Sequence, residues 1–408
     1  MTPIVKREHS LADGRELIYF DDADTSLLPD RSPDARILDP RPATATMRQD
    51  PLTGEWISIA AARQNRVFLP PADQDPLAPA SESNPSEIPD NYNVAVFENR
   101  SPSFGPGLGD PYPSEELNRI GFGRSLPSIG RCEVVSFSPA NQGAFGSLTL
   151  SRARTVIEAL ADRTAVLSAM PGIQQVFPFE NRGEAIGVTL LHPHGQIYSY
   201  PYITPRTTRL LESIKCFGPG FFQGILDFER ASDRVVLSGE HWTAFVPFAA
   251  RWPLEIHMLP HRHVPDFAAT SGEERDELAR LYLTLLRSID ELYGDPTPYI
   301  AAWHQAPVSV GRDDIRLMLQ VTSPRRAASK LKYLAGSEAA MGAWIGDVMP
   351  EQTAQFIRDA IARVTPLSPA SSPAISSQTL LSSTTAPSSH AAPSSQTAPS
   401  SKTGNPTL

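Results

Sequence analysis

Cysteine, histidine and long apolar runs are all scarce in this chain. Of 408 residues only two are cysteines, Cys132 and Cys216. So few exclude a disulfide framework, and their separation excludes a Cys-x-x-Cys metal clamp. No apolar run approaches the ~20 residues that span a bilayer. The opening stretch MTPIVKREHSLADGRELIYFDD has no apolar core of the signal-peptide kind. A basic surplus is missing too: 36 Lys and Arg face 45 Asp and Glu, a net charge of −9. That balance argues against broad nucleic-acid binding through phosphate neutralisation. It leaves room for a small anionic substrate, which needs only local positive charge. The expectation is a cytoplasmic protein of enzyme size with no nucleic-acid or membrane partner.

What is present divides unevenly. Residues 366–408 are almost entirely Ser, Thr, Pro and Ala, and APSS recurs at 386, 392 and 398. Such a segment cannot bury enough apolar surface to offset its ordering entropy, so a disordered tail is expected. The body before it reads as α+β. Strands are expected at 94–97, 132–138, 173–179, 186–191, 234–237, 242–248, 254–259 and 316–322. Helices are expected at 151–169, at 271–293 and from Pro350 onward. The second carries a Ser271/Glu274 capping box and is expected to end at Gly294; the third is expected to bury Phe356, Ile357, Ala360 and Ile361. Strand, helix, strands then occurs twice. The expectation is two similar halves with antiparallel sheets packed by helices, at 12–200 and 201–365.

Two of only nine histidines fall in one pentapeptide, His192-Pro-His194-Gly-Gln196. If the strand at 186–191 runs on through it, His192, His194 and Gln196 share a face. Pro193 suits a strand end, and Gly195 would let a ligand approach the backbone. A metal site, a nucleophile and a buried structural pair are all open to two such histidines. Imidazole is mostly uncharged at pH 7 and attacks phosphorus well. Attack would split one hard transfer into two easier ones. Gln196 offers a neutral donor for phosphate oxygens. The Gly-Gln continuation favours the nucleophile.

HPHGQ, with GVTLL before it and FENRGEAIG upstream, resembles the galactose-1-phosphate uridylyltransferase family of the histidine triad superfamily. The resemblance runs over about residues 45–350. It includes RQDPLTGEWISIAAARQNR at 48–66, VFENRSPSF at 96–104, HWTAFVPFAARWPLEIHMLP at 241–260, WHQAP at 303–307 and KLKYLAGSE at 330–338. It implies two histidine triad-like halves, usually in a homodimer, and a ping-pong reaction. UDP-glucose gives UMP to a histidine, glucose 1-phosphate leaves, and galactose 1-phosphate takes the UMP. Carried over, His194 is the nucleophile and Gln196 holds the uridylyl phosphate. Arg63 and Arg66 sit near nucleotide and phosphates. Asn99 contacts the nucleoside, with Arg100 where the family often has an acid. Asn181, Gly187 and Thr189 line the phosphate and hexose path. Lys332, Tyr333, Ala335, Ser337 and Glu338 bind hexose, from the other subunit. Without the resemblance, the arginines read as surface charges, the asparagines as turn residues, Gly187 as a strand bulge, and Lys332 and Glu338 as rim charges. A dinucleotide phosphorylase, a transferase for another sugar phosphate, and a non-catalytic nucleotide-binding homologue are the alternatives.

The chain departs from the family at its metals. Where a structural zinc takes Cys-x-x-Cys, a histidine and the first His of HPH, this chain has Asp75, Ala78, Asn141 and His192. Zinc wants about four N or S ligands, so none is expected. A second metal site would fall on Leu210, His304, Met318 and Gln320, and reads as lost too. No other cofactor is implied.

Overall fold

Eleven strands pair edge to edge into one antiparallel sheet. In the computed structural model, which describes residues 3–65, 69–108 and 122–365, the chain order begins with β1 (Val5–Ser10), β2 (Glu16–Asp21), β3 (Thr46–Gln49), β4 (Trp56–Ile59) and β5 (Val94–Glu98). It continues with β6 (Ser125–Pro127), β7 (Arg131–Ser136), helix α1 (Leu150–Ser168), β8 (Gln175–Arg182) and β9 (His194–Tyr200). Helices α2 (Pro205–Phe217) and α3 (Phe221–Arg230) follow, then β10 (Val235–Ser238), β11 (Trp242–Phe245) and β12 (Leu254–Pro260). The remainder is α4 (Gly272–Asp290), β13 (Tyr299–His304), β14 (Met318–Ser323), the hairpin β15 (Arg325–Ala327) and β16 (Lys330–Leu331), α5 (Gly336–Met341) and α6 (Pro350–Val364). The expected tail, 366–408, lies outside the described residues.

Across the large sheet the order is β1-β2-β5-β7-β9-β8-β13-β14-β12-β11-β10. From the two edges inward, β2-β5-β7-β9-β8 and β10-β11-β12-β14-β13 have the same connectivity. The two sets meet where β8 pairs with β13, Asn181 opposite Ile300. His194-Gly-Gln196 on β9 and Met318-Leu-Gln320 on β14 therefore occupy equivalent places. Separately, β4-β3-β6 forms a three-stranded sheet.

Helices α1, α4 and α6 cover one face of the large sheet. In α1, Ala153, Val156, Ile157, Leu160 and Leu167 recur at helical spacing and are buried. Thr149 caps it, its hydroxyl accepting the Arg152 N–H. The capping box of α4 forms as expected: the Ser271 hydroxyl accepts the Glu274 N–H, and the Glu274 carboxylate accepts the Ser271 N–H at 2.7 Å. Leu278, Leu285, Leu286 and Ile289 of α4 are at most 1% exposed, each stabilising by roughly 1.5–3 kcal/mol.

Several expectations are corrected. Residues 186–191 are not a strand. Residues Glu184–Ile186 form a 3-10 turn, and Gly187 sits at φ 83°, in the left-handed region that ends strand geometry. The sheet strand starts only at His194. The helix from Ser271 closes at Asp290, short of Gly294. On α6, Ile357 and Ala360 are buried, Ile361 packs partly against the core, but Phe356 is 39% exposed and edge-on to Tyr293. Tyr299–His304 was not anticipated as a strand, because its central Ala-Ala carries little β signal.

Candidate active site

β9 alternates cleanly. His194, Gln196, Tyr198 and Tyr200 point to the face away from α1, while Gly195, Ile197 and Ser199 are buried toward the helices. β7 pairs Val134 with Gln196 and Ser136 with His194. β8 pairs Phe179 with Gln196, which sets Asn181 on the same face one step further. Gly195 is glycine for packing, not for a ligand. A Cβ there would stand 2.9 Å from Phe137 Cζ and 3.1 Å from the Phe179 carbonyl oxygen.

His192 precedes the strand and turns inward instead of sharing the face of His194. It is 3% exposed. Its Nδ1–H donates to Asp75 Oδ2 at 2.6 Å. Its Nε2 lies 2.7 Å from the Ser138 carbonyl oxygen, 3.0 Å from Ser136 Oγ and 3.1 Å from the Tyr92 hydroxyl. Tyr92 also donates to the Leu77 carbonyl at 2.6 Å. This cluster fastens the loop at 75–78, the end of β7 and the approach to β9. A backbone consequence reaches the next histidine: His194 Nδ1–H donates to the His192 carbonyl at 2.7 Å. With Nδ1 carrying the proton, the lone pair sits on Nε2.

His194 and Gln196 line a cavity of about 290 Å³. Its apolar walls are Leu77, Phe97, Val134 and Leu190, and Asn99, Arg100, Ser101, Thr189, Arg15 and Glu87 supply its polar groups. Asn99 Oδ1 accepts the Ser101 N–H at 2.9 Å, leaving its amide N–H groups to face outward as donors. An imidazole lone pair, a neutral amide and an apolar slot together suit attack on the phosphorus of a nucleotide.

Comparison with known proteins fits this arrangement. Residues 37–204 match the galactose-1-phosphate uridyl transferase N-terminal domain, and residues 220–367 the C-terminal domain of the same family. The chain belongs to the galactose-1-phosphate uridyl transferase family. A Streptomyces lividans galactose-1-phosphate uridylyltransferase is 41% identical over 375 residues, covering 87% of this chain and 97% of that protein. A Thermotoga maritima galactose-1-phosphate uridylyltransferase is 33% identical, covering 77% and 98%. A solved uridylyltransferase superposes with a TM-score of 0.69 at 28% identity, over 78% of this chain and 99% of the other.

Against the family's residue pattern, the cavity unites Asn99, Arg100, Thr189, His194 and Gln196. Asn181 faces the same side but does not line it. Gly187 lies in the loop leading to the motif. Arg63 is on a 3-10 turn next to the wall residue Ala62, and its NH1 is buried with no hydrogen-bond partner among the described residues. Arg66 lies outside the described residues. None of Lys332, Tyr333, Ala335, Ser337 and Glu338 lines the cavity. Lys332 and Glu338 are not rim charges: they are 6% and 8% exposed and 3.7 Å apart. Lys332 Nζ donates to the Arg251 carbonyl at 2.9 Å and to the Ile345 carbonyl. Tyr333 is 75% exposed. Sequence reasoning missed Arg15 and Glu87, which enter the cavity wall from distant segments.

The zinc position does not fit zinc. Ala78 offers no donor side chain, Asn141 offers an amide, and the His192 ring is already committed to Asp75 and the hydroxyl cluster. Among the described residues no three His, Cys, Asp or Glu side chains are grouped to hold a metal. At the second position His304 Nε2–H donates to Gln320 Oε1 at 3.0 Å, and Gln320 Nε2 donates to Glu255 Oε1 at 2.6 Å. Burial, reinforced by Arg206, pulls the His304 pKa down to about 3. The Asp75 cluster ties three segments together by hydrogen bonding around a buried imidazole. Asp75→Ala is expected to lower stability by about 1–3 kcal/mol, read as a fall in the urea midpoint. An unchanged midpoint would show that the cluster bears no weight.

Proposed function

We propose that this protein transfers UMP from UDP-glucose to galactose 1-phosphate by a ping-pong route through uridylyl-His194. The observation that carries the reading is the 2.7 Å bond from His194 Nδ1–H to the His192 carbonyl. It directs the Nε2 lone pair toward the cavity shared with Gln196. Nε2 attacks the α-phosphorus, the bond from that phosphorus to the bridging oxygen breaks, and glucose 1-phosphate leaves with the electron pair. A phosphate oxygen of galactose 1-phosphate then displaces the histidine, giving UDP-galactose and restoring the imidazole.

In this reading Gln196 holds the uridylyl phosphate, and Arg63 and Arg66 supply positive charge beside it. The Arg63 NH1, buried with no partner among the described residues, supports that role. Asn99, with Arg100 beside it, contacts the nucleoside between the apolar walls. Asn181, Gly187 and Thr189 border the phosphate and hexose path. Lys332, Tyr333, Ala335, Ser337 and Glu338 form the hexose loop and act on the site of a second subunit in a homodimer. Each chain carries two histidine triad-like halves, 12–200 and 201–365, of which only the first keeps the chemistry. The setting is cytoplasmic; among the described residues no helix is long and apolar enough to cross a membrane.

Intact-mass spectrometry after mixing the protein with UDP-glucose alone tests the reading. The expected result is a gain of one uridylyl group per chain, discharged by galactose 1-phosphate. An adduct that this sugar leaves in place would overturn the acceptor. No adduct with UDP-glucose, but one with ADP-glucose, would overturn the donor.

A further inference from the structure

Among the described residues that line the cavity there is one carboxylate, Glu87. Glu87 is held from behind by two guanidinium groups: Oε2 accepts Arg15 NH2 at 2.6 Å and Arg36 NH2 at 3.3 Å. Arg15 is itself immobilised. Its side chain is 0% exposed, its Nε donates to Asp13 at 2.8 Å, and its NH1 donates to the Glu98 carbonyl at 2.9 Å. The Glu87 side chain keeps 21% exposure, and it borders the cavity. Its other oxygen, Oε1, accepts nothing from the described residues. Two guanidinium groups, one buried and one half-buried, thus orient one acceptor in the cavity wall.

A carboxylate oxygen in that place cannot serve a phosphate, which it repels. On the uridylyl reading, the apolar walls of Phe97 and Val134 take the uracil ring. What remains of a uridylyl group is the ribose, whose hydroxyls are good O–H donors. We infer that Glu87 accepts a hydrogen bond from a ribose hydroxyl of the bound nucleotide and makes the site selective for ribonucleotides. The inference rests on the uridylyl reading of the cavity. Asn99 complements it: an amide donor and a carboxylate acceptor on one wall read opposite polarities of one nucleoside.

The test is calorimetric binding of UMP, 2′-deoxy-UMP and 3′-deoxy-UMP to the whole protein and to Glu87→Gln and Glu87→Asp. The unsubstituted protein is expected to bind UMP about tenfold more tightly than one of the two deoxy analogues, the size of one hydrogen bond to a charged group. In Glu87→Gln that gap is expected to shrink to about twofold. Glu87→Asp keeps the charge against Arg15 and Arg36 but withdraws it by one methylene, and is expected to narrow the gap as well. A variant that weakens all three ligands equally would show Glu87 to be scaffolding and overturn the inference. So would a protein that never distinguishes UMP from either analogue. Binding is read without turnover, so the two readings fail separately. UMP bound without any adduct from UDP-glucose sinks the transfer and spares Glu87; an adduct without ribose discrimination does the reverse.

Discussion

His194→Asn is expected to abolish uridylyl exchange while leaving UMP binding within about tenfold of the unsubstituted protein. The asparagine amide fills nearly the same space and can still donate to the His192 carbonyl, but it has no basic lone pair to offer phosphorus. Removing a nucleophile removes the covalent route itself, a loss of at least about 10⁴-fold in kcat. The surroundings proposed to bind the nucleotide stay intact: the walls at Phe97 and Val134, the Asn99 amide and Gln196 all line the cavity independently of His194. Exchange of labelled glucose 1-phosphate into UDP-glucose reads the chemistry, and calorimetry with UMP reads the binding. Residual exchange above about 1% would move the nucleophile elsewhere. Loss of binding together with exchange would mean that His194 shapes the cavity instead of reacting in it.

The site was legible where chemistry is local in sequence, and illegible where it depends on what packs behind. His194 and Gln196 lie two apart on one strand, so period-two geometry alone puts them on a common face. His192 has the same spacing from His194, yet it lies outside the strand, because Gly187 takes a left-handed turn that delays the strand start to His194. Sequence spacing cannot tell a strand residue from the residue that leads into it. Gly195 was assigned to a ligand and belongs to Phe137 across the core. The capping box of α4 was readable because both of its partners lie within one turn. Arg15 and Glu87 are 72 positions apart, and nothing in either segment announces the pairing. The hydrogen-bond cluster of Tyr92, Ser136 and Asp75 around His192 was not legible, since three ordinary residues from three segments make it. Of residues 332–338, proposed for the hexose, Lys332 is turned onto the Arg251 and Ile345 carbonyls and the Trp344 ring in the single chain, which is why a second subunit is part of the proposal.

Stability between pH 4.5 and 7 is expected to be governed by a carboxyl on the reverse of the catalytic sheet. Glu180 is 5% exposed on β8, on the opposite face from Asn181. Its Oε1 accepts the Tyr299 hydroxyl at 2.9 Å and the Phe145 N–H at 3.4 Å, while Oε2 has no hydrogen-bond partner among the described residues. Burial disfavours the charged form and raises its pKa from 4.5 to about 7; Tyr299, the Phe145 N–H and Arg182 oppose the rise, and Asp290 adds to it. The neighbouring Tyr282 and Tyr299 are themselves raised by burial and are neutral throughout this range. With the folded pKa above the unfolded one, folding favours the protonated form. The contribution is fully present below pH 4.5, falls as pH rises through 7, and is then gone. A shift of that size corresponds to about 3 kcal/mol across the window. Glu180→Gln keeps the acceptor for Tyr299 and cannot ionise, so its stability is expected to stay level where the unsubstituted protein loses ground. The two urea midpoints are expected to agree near pH 4.5 and to diverge by pH 8, with the variant the more stable. Parallel profiles would mean that Glu180 finds a partner for its charge as it ionises. A variant less stable at pH 8 would mean that the carboxylate, not the acid, is the form this fold is built around.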